Sequence, residues 1–134
     1  MDRRRAGATI AVGRSGRRAV FYRTMALVVA GFDAKYPDQM MIDEGQELTV
    51  MKNDEWPGWL LCQNSSGKQG WVPEKIVKIT TGKAVAQESH DTREISMQEG
   101  EIVRIEKIET GRAWVTDMTN ETGWVPLKNL KIVE

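Results

Sequence analysis

Three tryptophans, Trp56, Trp59 and Trp71, lie within sixteen residues of one another. They are the side chains of this sequence whose type and spacing best suit a chemical task, and that task is recognition. Indole rings offer large apolar area with a single polar N–H. Grouped at a surface, they mark an interface of some kind. Asp38, Asp54 and Glu55 on the neighbouring loops would attract a basic ligand. Plainer roles stand beside these. The indoles could cover the core or a contact between parts of the chain, and the acids could be ordinary solvated loop charge.

Nothing comparable points to catalysis. His90 is the only histidine and is predicted in an exposed loop with no identifiable nucleophile beside it. Cys62 is the only cysteine, so no internal disulfide exists, and its place on a strand predicts an inward-facing small hydrophobe. There is no Cys and His spacing for a metal and no glycine-rich phosphate loop. The expectation is a non-enzyme with no cofactor and no metal.

The elements that must position these residues come from a repeat. Residues 58–73 recur as residues 111–126 without a gap. Gly58 matches Gly111, Gly70 matches Gly123, and Trp71-Val72-Pro73 matches Trp124-Val125-Pro126. Further upstream the offset is 55, because Asp43-Glu44-Gly45 matches Gln98-Glu99-Gly100. A repeat of this length implies repeated supersecondary units. Each reads as short strands with period-two alternation separated by turn residues. In the first copy these cover 25–31, 46–51, 59–63, 68–72 and 77–79. A turn at Asn64-Ser65-Ser66-Gly67 suits a left-handed backbone. A short helical turn follows Pro73, whose fixed φ favours that position. Leu60 and Cys62 share the inward face, and Trp59 and Leu61 the other. The second copy starts at 83–86 and repeats the order, leaving only Thr80-Thr81-Gly82 as a linker.

Charge is uneven although the net is zero. Residues 1–24 hold seven Arg and one acid, a net of +6, while the rest carries 12 basic and 18 acidic residues. A body with that balance is unsuited to gripping a phosphate backbone, so no nucleic-acid partner is expected. The tail has no strand or helix period and reads as disordered, as a basic arm for anionic partners, or as sequence preceding a true start at Met25. No apolar run reaches the length of a membrane span, and no export signal is evident, so a cytoplasmic protein without membrane contact is expected.

Glu44-Gly45-Gln46-Glu47-Leu48, Gly58-Trp59 and Gly70-Trp71-Val72-Pro73 resemble the diagnostic blocks of the Src-homology-3 domain. Glu99-Gly100-Glu101 and Gly123-Trp124-Val125-Pro126 resemble them again, so the likeness covers 25–134 as a tandem pair. Ala-Lys-Tyr-Pro-Asp, Trp-Pro-Gly-Trp and Gly-Trp-Val-Pro-Glu look most like the bacterial variant-type form. The resemblance implies an all-β fold of two consecutive five-stranded barrels, 25–79 and 80–134, packed with a very short linker. It also implies a groove for preorganised proline-rich peptides.

Carried over residue by residue, the family's two first-strand tyrosines fall on Ala30 and Phe32. The groove Trp is Trp59, the groove Pro is Pro73, and the tyrosine of the helical turn falls on Ile76. Trp71 flanks the groove, Asp38 stands near the acid of the long hairpin, and Tyr36 and Trp56 bracket the site. In the second copy the first-strand places fall on Val85 and Gln87, or on Ala86 and Glu88, and the groove Trp becomes Arg112. The first copy is therefore the expected binding unit for a protein or peptide, proline-rich or basic. The alternatives are a structural or assembly module, including a homodimer, and a cell-wall-binding module.

Overall fold

The computed structural model describes residues 8–12, 18–22 and 24–133. Among them every regular element is a strand or a single 3-10 turn, and no helix is long and apolar enough to cross a membrane. Strands β1 (Ala8–Val12) and β2 (Arg18–Tyr22) pair as an antiparallel hairpin. This corrects the expectation of a disordered tail for those two segments. The rest of residues 1–23 lies outside the described residues.

Along the chain follow β3 (Thr24–Val28), β4 (Met41–Ile42), β5 (Glu47–Lys52), β6 (Trp59–Gln63) and β7 (Gln69–Pro73). A 3-10 turn (Glu74–Ile76) leads into β8 (Val77–Thr80), β9 (Lys83–Ala86) and β10 (His90–Asp91). The remainder is β11 (Ile102–Glu109), β12 (Arg112–Thr116), β13 (Thr122–Pro126), a second 3-10 turn (Leu127–Asn129) and β14 (Leu130–Ile132). Bounds agree with the sequence expectation to within a few residues, because alternation and turn chemistry act locally. Asn64 Oδ1 accepts the amides of Ser66 and Lys68 at 3.0 and 2.9 Å, and Gly67 has φ +88°. Asp117 Oδ1 does the same for Thr119 and Glu121 at 2.8 and 3.0 Å. Both are side-chain-closed hairpin turns.

The chain divides into two compact units that are not the contiguous halves expected. One consists of residues 35–94, and the other of residues 1–34 with 95–134. In the first, the five-stranded sheet runs β7-β6-β5-β9-β8. In the second it runs β13-β12-β11-β3-β14. The order is the same with β3 and β9 exchanged. The opening strand of each repeat completes the sheet of the other. Residues 25–79 and 80–134 are therefore corrected as structural units, though they stand as sequence repeats.

A two-residue turn explains the exchange. Thr80 and Lys83 are partners across β8 and β9, and only Thr81 and Gly82 separate them. Both have positive φ, +48° and +76°, the pattern of a tight hairpin that matches strand twist. The Gly82 carbonyl also accepts the Val50 amide at 3.0 Å. The segment read as a linker is thus a hairpin loop. It lays β9 along β8 and against β5, in the place the first repeat's own β3 would take. β3 instead pairs with β11 and β14, setting Ala26 opposite Val103.

Each unit has its own core. In residues 35–94 it comprises Met40, Ile42, Leu48, Leu60, Cys62, Val72, Ile76, Ala84 and Ala86. In the other unit it comprises Ala26, Val28, Ile95, Met97, Val103, Ile105, Ala113, Val115 and Val125. Full burial of each large aliphatic side chain stabilises by about 1.5–3 kcal/mol. Leu60 and Cys62 face inward as alternation requires. Burial raises the Cys62 thiol from an ordinary 9.0 to about 11, so it stays protonated at neutral pH.

Candidate functional site

The tryptophans of the first repeat are set by the β6-β7 hairpin. Trp59 pairs with Pro73 and Leu61 with Trp71, on the face of the hairpin away from the core. The Trp59 amide donates to the Trp56 carbonyl at 3.0 Å, which ties the loop tryptophan to the strand. Gly58, at φ +83°, turns the chain between them, and its carbonyl accepts the Glu74 amide at 2.8 Å. Trp56 and Tyr36 are half-buried and Asp38 is exposed.

Trp59 and Trp71 are only 1% and 3% exposed. The expected open row of indoles is therefore absent, and what solvent reaches is its border. Ile76 is also buried and belongs to the core, so it is corrected from a lining residue to a packing residue. Phe32 is corrected more sharply. It lies in the other unit, bridges to Met97, and packs against that unit's core.

His90 stands where the sequence reading placed no functional group. Ala26 faces Val103 and Ala84 faces Leu48, so the two opening strands are offset by 58 rather than 55. The second repeat's first-strand places are then Glu88 and His90, correcting both registers considered from sequence. His90 pairs with Ile42, as Phe32 bridges to Met97. It is buried rather than in an exposed loop. Its ring lies 6.1 Å from that of Trp59 at 56°, and its Nε2 is 3.1 Å from the Trp71 carbonyl. The available signal was the repeat itself, obscured because the long hairpin is three residues shorter in the second copy.

Close packing holds this segment. Thr92 is buried, and its Oγ1 accepts the Met40 amide at 3.2 Å. A Cβ on Gly70 would come within 2.6 Å of the Thr92 Cβ and Oγ1. Beyond it, buried Glu94 accepts the Lys35 and Tyr36 amides through Oε1 at 2.9 and 3.1 Å. That carboxylate fixes Tyr36 where the chain enters the unit.

The matching place in the other unit carries Arg112, paired with Pro126 and 1% exposed. Asn129 matches Ile76, and its Nδ2 donates to the Ala30 and Gly31 carbonyls at 3.1 and 3.0 Å. Trp114 and Trp124 meet edge to face at 5.5 Å, with the Lys107 ammonium 5.8 Å from the Trp124 ring centroid. Among the described residues no group of three or more His, Cys, Asp and Glu could hold a metal ion.

These features meet a known pattern. Residues 28–78 match the family model for the variant SH3 domain. The two sheets are consistent with an SH3-like β fold. The match spans the first repeat in sequence, yet residues 28–34 of it lie in the other compact unit. Among curated proteins, the chain is 26% identical over 116 residues to Protein BZZ1 of Schizosaccharomyces pombe, covering 75% of this chain and 18% of that protein. It is 34% identical over 56 residues to Protein nervous wreck of Drosophila melanogaster, covering 40% of this chain and 5% of that protein. The chain thus spans less than a fifth of either relative. No solved structure matches it. SH3 domains are in general non-catalytic protein-interaction modules, and the likeness is to that class.

Proposed function

We propose that the chain is a non-catalytic protein- or peptide-binding module built of two SH3-like barrels, with its ligand face on residues 35–94. The observation that carries this reading is the variant SH3 match over residues 28–78, which includes Tyr36, Asp38, Trp56, Trp59, Trp71 and Pro73. Half-buried Trp56 and Tyr36 offer apolar contact, while Asp38, Asp54 and Glu55 are exposed acids. That combination suits a proline-rich or basic peptide. Buried Trp59, Trp71 and Pro73 support the face from beneath, with His90 packed against Trp59 and its Nε2 at the Trp71 carbonyl.

A second reading is an assembly module whose aromatics are spent on internal packing or on a homodimer. The burial of Trp59 and Trp71 favours it. Residues that solvent reaches, half-buried Trp56 and exposed Asp38, separate the two, because replacing a buried indole would also unfold the unit. The test is a proline-rich and basic peptide array probed with the whole chain, with Trp56→Ala and with Asp38→Asn. Binding lost in Trp56→Ala and reduced in Asp38→Asn supports the ligand face. Binding unchanged in both, or absent from the unaltered chain, removes it.

A further inference from the structure

We propose that the length of the Thr81–Gly82 turn selects which opening strand completes each sheet, and that this sequence holds a second folded pairing in which β3 joins β5 and β9 joins β11. The two strands are near-equivalent in what they offer. Ala26 and Val28 face one core, and Ala84 and Ala86 the other, from matching register positions opposite Val103 and Leu48. The sheets that receive them have the same order, and β5 and β11 carry bulges at equivalent places, Val50/Lys52 and Ile105/Lys107. Both inward patterns are apolar, and they differ only in Val28 standing where the other strand has Ala86.

Chain entropy alone favours the other pairing. Ala26 lies 22 positions from Leu48 but 77 from Val103, and closing the longer loop is disfavoured by about sevenfold. The observed exchange therefore needs a local cause. A two-residue turn permits only an immediate antiparallel return, so β9 has to lie on β8, and the Gly82 carbonyl, which accepts the Val50 amide at 3.0 Å, sets it on the β5 side. Once β9 fills that place, β3 is excluded from it. Asn129 adds a preference of its own, because its amide meets the carbonyls that follow β3, whereas the corresponding Ile76 offers none. A turn long enough for β9 to leave β8 would remove the exclusion and leave only that preference.

Crosslinking reads the pairing directly. In a Cys62→Ser background, Leu27→Cys with Ile102→Cys reports the exchanged form, since Leu27 and Ile102 are partners. Leu27→Cys with Glu47→Cys reports the other, because Glu47 now faces Val85. Each pair is treated with a short thiol crosslinker in the monomer fraction, and crosslinked peptides are counted by mass spectrometry. The unaltered turn is expected to give the 27–102 product at least about tenfold over the 27–47 product. Twenty Gly and Ser residues inserted between Thr81 and Gly82 have an r.m.s. span of about 25 Å, more than a five-residue strand. With them the 27–47 product is expected to rise about tenfold or more. An eight-residue insertion serves as a second variant. No rise in a folded lengthened chain overturns the proposal, as does an equal 27–47 product with the unaltered turn. Loss of folding in both insertions also overturns it, since both pairings are required to fold.

Discussion

The two five-stranded sheets share an order and a core plan, and they differ on the face turned away from the core. In residues 35–94 that face begins with Trp59, and six residues separate β5 from β6. In the other unit it begins with Arg112, and only Thr110 and Gly111 separate β11 from β12, both at positive φ. The longer loop is what carries Trp56, Asp54 and Glu55. The shorter one is a bare hairpin turn with no room for such a border. Repetition has preserved what the sheet needs, namely inward alternation, Trp-Val-Pro and the 3-10 turn. It has not preserved Trp59 or the loop that carries Trp56, Asp54 and Glu55.

Substitutions at four places, some with a paired control, would break or sharpen this contrast, in falling order of effect. Trp59→Ala removes a fully buried indole and its contact with His90, and the unit should lose about 3–5 kcal/mol. Urea unfolding followed by far-UV circular dichroism measures it, and a loss under 1 kcal/mol would show that Trp59 is not a packing element. Gly70→Ala drives a Cβ into Thr92 and should cost about 1–3 kcal/mol. Thr92→Gly in the same chain removes the clashing Cβ and should restore part of that, although it also removes the Thr92 bond to Met40. A double variant no more stable than the single one would exclude the contact as the cause.

In the other unit, Asn129→Ala strips the donor from the Ala30 and Gly31 carbonyls and should cost about 1–3 kcal/mol. Ile76→Asn, the reverse exchange at the matching place, should be worse than Asn129→Ile if the two faces have diverged as described. The smallest effect concerns Cys62, which Val115 matches in the second repeat. Its folded-state pKa is raised to about 11 from 9.0, so the folded protein holds the thiol proton longer than the unfolded chain does. The neutral thiol's contribution is complete below pH 9 and is lost as pH rises from about 9 to about 11. Cys62→Val should flatten the stability of the chain across that window. It should also leave the chain silent to a thiol reagent that modifies the unaltered protein only on unfolding. An identical pH slope in both proteins would discount the buried thiol.

Much of this was legible in the residues. Strand positions, the Asn64 turn, the 3-10 turn after Pro73 and the inward face of Leu60 and Cys62 all follow from local rules. Alternation with period two and the left-handed tolerance of Asn and Gly do not depend on distant partners. Of the residues proposed for the ligand face, only their common placement was legible. Trp56, Trp59, Trp71, Pro73, Tyr36 and Asp38 do lie in one compact unit. Phe32 and His90 were misassigned because each belongs, in space, to the repeat from which it is absent in sequence.

Sequence alone therefore determined the all-β character, the repeat and the core faces. Only the tertiary structure decided which opening strand completes which sheet. The physical reason is that β3 and β9 carry matching inward patterns, so neither local propensity nor alternation can tell their destinations apart. The choice falls to Thr81 and Gly82, whose two positive φ angles return the chain at once upon itself. That return places His90 against Trp59 and sends Phe32 to Met97, and the composition of both faces follows from it.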